Sequence, residues 1–171
     1  KYNKNLTFFT IGLENHHSPD VAAARRVADY LNTELVEVRF SVQRGIQSLP
    51  KVIECLESFD VTTVRASIPH YLLSEYIRSN TDIKVMLSGE GADELFQGYQ
   101  YWKNAPSVSE ARYESILRMK ELCYYDVLRS DRVVSGNGLE VRVPFLDKEF
   151  LNVSMSIRPE QKMRNIEKYI L

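Results

Sequence analysis

A short apolar run, Ile83 to Leu87, leads directly into SGEGADELFQGY, Ser88 to Tyr99, and this junction constrains the fold more tightly than any other stretch of the chain. The run reads as a buried strand, and the stretch after it as a glycine turn opening into a helix. A hydroxyl (Ser88), two close glycines (Gly89, Gly91) and three carboxylates (Glu90, Asp93, Glu94) coincide there. A strand, a tight turn and a helix start leave backbone N–H groups pointing outward, which makes a cradle for an oxyanion or a phosphate. Carboxylates in that position repel phosphate unless a divalent cation lies between them, so the local chemistry points to a nucleotide with Mg2+. The alternative is a plain tight turn in which Asp93 caps the next helix.

Upstream, strand and helix patterns alternate. Leu6 to Leu13 is a continuous apolar run suited to a strand covered on both faces. Ser18-Pro19-Asp20 supplies a capping hydroxyl, a first-turn proline and an acid at the positive end of the helix dipole. Val21, Ala24, Ala28 and Leu31 mark one face of that helix, which ends near Asn32. Leu35 to Phe40 alternates apolar with polar, as at a sheet edge. Val42, Ile46, Leu49, Ile53 and Leu56 form a second helix, kinked or interrupted at Pro50. This order predicts a parallel, helix-covered sheet, whose ligands collect beyond the carboxyl ends of its strands. Ser88 to Asp93 and Ile11 to Leu13 both lie at such ends.

Asp60 to Ser67, DVTTVRAS, reads as a loop whose hydroxyls and guanidinium could grip an anion, or as a solvated loop with Arg65 in a surface ion pair. Pro69 then starts a short helix with Leu72, Leu73, Tyr76 and Ile77 in the core, and His70 at its surface or cap. Beyond Tyr99, Ile116, Met119, Cys123 and Val127 predict one helix from Glu110 to Asp131, with Tyr124 and Tyr125 packing against it. Ser135 to Gly138 breaks it. Leu139 to Asp147 is extended, Glu140 and Arg142 pair in partial burial, and Asp147 caps a helix over Lys148 to Ile157. Glu167 to Leu171 opens another helix.

At 171 residues, 44% apolar and 26% charged, the chain has the composition of one soluble globular domain with a real core. Its net charge of −1 leaves no basic excess to bind nucleic acid, and its short apolar runs exclude a helical membrane span. Cys55 and Cys123 lack metal-ligand spacing and read as core thiols in a reducing, cytoplasmic compartment.

Read together, these stretches resemble the glutamine-dependent asparagine synthetases. SGEGADELFQGY is similar to that family's signature, and DVTTVRAS, DVLRSDR (Asp126 to Arg132), GLEVRVPFLDKEF (Gly138 to Phe150) and IEKYIL (Ile166 to Leu171) match it in order and spacing. The resemblance implies an α/β fold with a doubly wound parallel sheet of the adenine nucleotide alpha-hydrolase-like, ATP-pyrophosphatase type. Residues 1–105 would form its nucleotide-binding part, and 106–171 its additional, mainly helical part. It implies conversion of aspartate to asparagine through β-aspartyl-AMP, releasing pyrophosphate and AMP, with ammonia drawn from glutamine. It places AMP against the backbone of Ser88 and Gly89, Ile11 on the adenine side, and Asp93 on Mg2+. Glu90 becomes an orienter or general base near the aspartyl-adenylate or the ammonia. Arg65, with Thr62 and Thr63, holds phosphate oxygens as pyrophosphate leaves, and Tyr99 supports the adenylate-forming geometry. Aspartate, ATP, ammonia and the glutaminase domain of the same parent chain are the implied partners, with a homodimer allowed and neither nucleic acid nor membrane involved.

The family's glutaminase domain, its first synthetase strand with the pyrophosphate loop and a second Mg2+-binding aspartate, and a lysine beyond the last matching helix have no counterpart here. The expectation is a piece of a larger enzyme, inactive alone. Ala92 stands where the family commonly has serine, at a cost on the order of 1 kcal/mol for one hydrogen bond. The rivals are a β-lactam synthetase-like enzyme that adenylates another carboxylate, and a catalytically inactive nucleotide-binding relative. A helical interaction module would require the strand-end glycine loop to be coincidental. The Thr-Thr-Arg stretch and Glu90 favour asparagine synthesis over the first rival. Three costly polar groups (Glu90, Asp93, Arg65) speak against the second.

Overall fold

Strand β1 (Thr7–Leu13) and strand β2 (Glu34–Phe40) pair in parallel with Thr7 opposite Glu34 and Leu13 opposite Phe40, joined by helix α1 (Pro19–Leu31). This βαβ unit belongs to a computed structural model that describes residues 6–162, Lys168 and Ile170. Ser18 caps α1 by accepting from the Val21 amide, Pro19 occupies its first turn, and Asn32 ends it in the left-handed region at φ 51°. The chain forms two compact units, Lys1–Lys84 with Arg132–Leu139, and Val85–Asp131 with Glu140–Leu171.

In the first unit, helix α2 (Val42–Leu56) and helix α3 (Val61–Asn80) pack together, and Val21, Ala28, Val52, Leu56, Leu72, Ile77, Val133 and Val134 supply the core. Pro50 lies inside α2 and does not interrupt it. The expected loop at Asp60 to Ser67 is the start of α3, and Pro69 sits within that helix rather than beginning one. Asp60 is the N-cap: its carboxylate accepts from the Thr63 amide at 2.7 Å, and the Thr63 hydroxyl and amide hold that carboxyl below its ordinary value. Thr63, Ser67, Tyr71, Leu72, Ser74 and Ile77 are buried, and the hydroxyls of Ser67 and Ser74 donate to the carbonyls four residues back. A satisfied cap and a buried face therefore outweigh weak intrinsic propensity and a proline.

In the second unit, strand β3 (Val85–Leu87) pairs in parallel with strand β4 (Glu140–Arg142). β3 is shorter and more open than expected: Val85 and Leu87 share a face of the pleat and are 40% and 65% exposed. Helix α4 (Ala92–Phe96) follows, then a 3-10 turn over Gln100–Asn104 and helix α5 (Val108–Glu121). The single helix expected from Glu110 to Asp131 is divided. A 3-10 turn at Leu122–Tyr124 and a non-helical Tyr125 (φ −122°, ψ −95°) separate α5 from helix α6 (Asp126–Ser135), so Cys123, Tyr124 and Tyr125 are exposed rather than packed. Asp147 caps helix α7 (Lys148–Ser156) as expected, through the amides of Glu149 and Phe150, and helix α8 (Pro159–Lys162) ends the run. The Glu140–Arg142 pair forms at 2.7 Å but is exposed, because residues two apart on a three-residue strand share an open face. The helix expected from Glu167 lies outside the described residues, apart from Lys168 and Ile170.

The chain is thus α/β with parallel strands and covering helices. Among the described residues no helix is long and apolar enough to cross a membrane.

Candidate active site

The second unit positions its carboxylates through a turn that only glycine permits. The Ser88 amide donates to Arg142 O at 2.9 Å, extending the β3–β4 ladder by one step, and the Ala92 amide then closes back on Gly89 O at 3.2 Å. Gly91 starts α4 at φ +90°, and a Cβ there would run into the Leu146 side chain. Both positive φ and lack of space therefore demand glycine at that position. Glu90 is left between two glycines, while Asp93 and Glu94 fall in the first turn of α4.

Each carboxylate has a different partner. Glu90 faces Arg129 of α6, whose Nη2 donates to Oε2 at 3.1 Å and Oε1 at 3.3 Å; the two side chains are 14% and 13% exposed. The same Nη2 donates to Asp126 Oδ1 at 2.8 Å, one helical turn away. Burial pushes the Glu90 carboxyl above its ordinary value, the Arg129 charge opposes this, and Asp126 and Glu94 add to the rise. Glu94 is 4% exposed, accepts from the Tyr99 hydroxyl at 2.6 Å, and is likewise raised by burial. Burial first, and then the Glu94 hydrogen bond, push the Tyr99 phenol upward, so it stays protonated and donating. The Tyr99 ring stacks on Trp102 at 5.4 Å, and the Trp102 indole N–H is held by Ala111 O at 3.2 Å. Asp93 is half-buried, with Oδ1 paired to Lys168 Nζ at 2.8 Å.

α4 itself is held from below. Lys162, 4% exposed, donates to Leu95 O at 2.7 Å and lies over the Phe96 ring. Burial lowers its amine to about 8 from an ordinary 10.5, with the Arg112 charge adding to the effect. Between those two values the unfolded chain binds more protons than the folded one, so this group makes stability rise with pH across that window. In melting curves of the protein and its Lys162→Met variant, the unsubstituted protein is expected to gain on the variant from pH 8 to pH 10.5 and to hold a constant offset below pH 8. An offset that stays constant across the window would place the amine in an ordinary environment.

The expected site residues divide between the units. Ser88, Gly89, Glu90, Asp93 and Tyr99 belong to the second. Ile11 is half-buried on β1 of the first. Thr62 and Arg65 are exposed on the opening turns of α3, whereas Thr63 is buried with its amide committed to the Asp60 cap. Sequence reasoning attached no role to Asp126, Arg129 or Lys168. The available signal was an aspartate and an arginine three apart at a helix start, the spacing that brings two side chains together.

Among the described residues no group of three or more His, Cys, Asp or Glu surrounds a common point. Asp93 nevertheless fits Mg2+, which takes one or two carboxylates and fills its remaining positions with phosphate oxygens and water. Its carboxylate is half-buried beside the Lys168 ammonium, on the first turn of a helix entered from a strand end.

The sequence matches the asparagine synthase family over residues 1–114 and 104–171, which together span the chain. It is 52% identical over 168 residues to the glutamine-hydrolysing asparagine synthetase of Rattus norvegicus. It is 51% identical over the same length to those of Homo sapiens and Gallus gallus. Each match takes in 97% of this chain and 30% of the relative, so the chain spans less than a third of the length of these curated relatives.

Proposed function

The chain belongs to the asparagine synthase family, and from that membership we propose that it carries the adenylate-forming site of an ATP-dependent enzyme that makes asparagine from aspartate. The observation that carries the reading is 51–52% identity, across 97% of the chain, to proteins named glutamine-hydrolysing asparagine synthetase. The fold assigned to the complete domain is the doubly wound ATP-pyrophosphatase type.

In the first half-reaction a β-carboxylate oxygen of aspartate attacks the α-phosphorus of ATP, and the bond to the bridging oxygen breaks to release pyrophosphate. In the second, ammonia adds to the acyl carbon, the carbon–oxygen bond to phosphate breaks, AMP leaves with that oxygen, and nitrogen sheds a proton. Ser88 and Gly89 at the end of β3 hold AMP through their backbone, and family membership assigns Ile11 the adenine side. Asp93, with phosphate oxygens, would hold Mg2+, whose charge offsets that building on the leaving pyrophosphate. Thr62 and Arg65 on the exposed start of α3 contact phosphate oxygens, with Thr63 supporting that turn through Asp60. Glu90 orients the nitrogen nucleophile and accepts its proton, a role suited to a carboxyl raised by burial against the opposing Arg129 charge. Tyr99 stays a hydrogen-bond donor fixed by Glu94 and supports the adenylate-forming geometry. Glutamine, through a glutaminase domain, is the assigned source of ammonia. The cytoplasm is the assigned compartment, in keeping with two free cysteines.

The test is pyrophosphate release with ATP, Mg2+, ammonium and aspartate, using the full-length protein. One pyrophosphate and one AMP per asparagine are expected from it, and none from the 171-residue chain alone. Release with another carboxylate but not aspartate would move the assignment to a β-lactam synthetase-like reaction. Nucleotide binding without turnover would mark an inactive relative.

A further inference from the structure

We propose that Arg129 is the positioning residue for Glu90: anchored by Asp126 on its own helix, its guanidinium fixes the orientation of the Glu90 carboxylate toward the reacting nitrogen. The inference deepens the proposed asparagine-forming function and rests on it.

The turn that carries Glu90 cannot orient it. Gly89 and Gly91 flank the residue, neither lends a side chain to pack against, and Glu90 lies before the first residue of α4. Its rotamer is set from outside, by a nitrogen within 3.3 Å of both carboxylate oxygens. That nitrogen is in turn fixed by Asp126 at 2.8 Å, and the three-residue spacing on α6 lines the pair up before Glu90 is met. The chain thus uses a helix to hold a side chain presented by a turn that lends it no packing partner.

The charge balance points the same way. Among the described residues, Glu90 and Asp126 both meet the Arg129 guanidinium at a largely buried position, and Glu94 is also close enough to raise Glu90. Apolar side chains commonly stabilise a fold as well as a buried ion cluster does. The carboxylates that meet here among the described residues suit the positive charge that develops on nitrogen as ammonia adds to the acyl carbon.

The groups acting on Glu90 are Arg129 and Asp126 from α6 and Glu94 from α4, and the first two act with opposite sign. The experiment therefore compares Arg129→Met, Arg129→Lys and Asp126→Asn in the full-length protein. It reads kcat for asparagine formation, the KM for ATP, and the pH profile of kcat for asparagine formation at saturating ammonium. Arg129→Met is expected to lower kcat at least about tenfold with the ATP KM within about twofold, because the interaction lost matters in the transition state rather than in nucleotide binding. Its acid limb moves to higher pH, since the Arg129 charge that opposes burial is gone. Asp126→Asn moves the acid limb to lower pH, and Arg129→Lys recovers part of kcat. Unchanged kcat in Arg129→Met, or losses of kcat with acid limbs that stay in place, would overturn the proposal and leave the cluster a structural one. Should Arg129→Met fail to fold, the shifts in Arg129→Lys and Asp126→Asn decide the matter. Absence of aspartate-dependent release in the unsubstituted full-length protein would overturn the parent reading, and this inference with it.

Discussion

Glu90→Gln in the full-length protein is expected to lower asparagine formation by about 10²–10⁴-fold, the range associated with losing a positioned proton acceptor. Glutamine keeps the shape and one hydrogen-bond acceptor but cannot take a proton, so Arg129 and Asp126 keep their places while the chemistry stops. The defect should fall on the step that uses ammonia. Aspartate-dependent pyrophosphate formation in a single turnover, without ammonium, should suffer far less than steady-state asparagine synthesis with ammonium. Equal loss in both assays would instead place Glu90 in the attack of the β-carboxylate on ATP, and a variant with full turnover would remove it from the mechanism.

Gly98→Ala should produce the second largest effect, through Asp93. The Gly98 amide closes α4 by donating to Asp93 O at 2.9 Å, and a Cβ built on Gly98 would overlap Asp93 Oδ1. Alanine must therefore drive that carboxylate away from the place where Lys168 now meets it at 2.8 Å. Groups that orient a metal-binding carboxylate typically contribute about 10–100-fold in metal affinity, so the Mg2+ concentration for half-maximal turnover should rise by that order. Asp93→Asn should shift it in the same direction. A Mg2+ titration of pyrophosphate release checks both, and an unchanged midpoint in both variants would take Asp93 off the metal.

Both predictions fall on residues that stand out in the sequence, and the reason is chemical. Carboxylates between glycines after an apolar run are an expensive pattern, and Gly91 at φ +90° bears out the glycine turn that opens into a helix there. Local signals were legible wherever one short-range interaction decided the outcome, as in the hydroxyl cap of Ser18 and the carboxylate cap of Asp147. They misled where long-range packing outweighed propensity. Val61 to Val64 are all β-branched and poor helix formers, yet the Asp60 cap and the buried face from Thr63 to Ile77 make α3 one helix through Pro69. The break at Tyr125 carries no glycine or proline, so periodicity ran straight across it. Arg129 lies 39 residues from Glu90, and their pairing arises only when α6 folds beside the turn.

The most direct measurement of the central claim follows oxygen. Aspartate labelled with 18O in its β-carboxylate is converted by the full-length protein with ATP, Mg2+ and ammonium, and the products are weighed by mass spectrometry. Attack of that carboxylate on the α-phosphorus, followed by displacement of AMP, predicts one labelled oxygen in AMP for each asparagine formed and none in pyrophosphate. Label in inorganic phosphate with ADP as co-product, or unlabelled AMP, would contradict an adenylate and with it the roles assigned to Ser88, Gly89, Glu90 and Asp93.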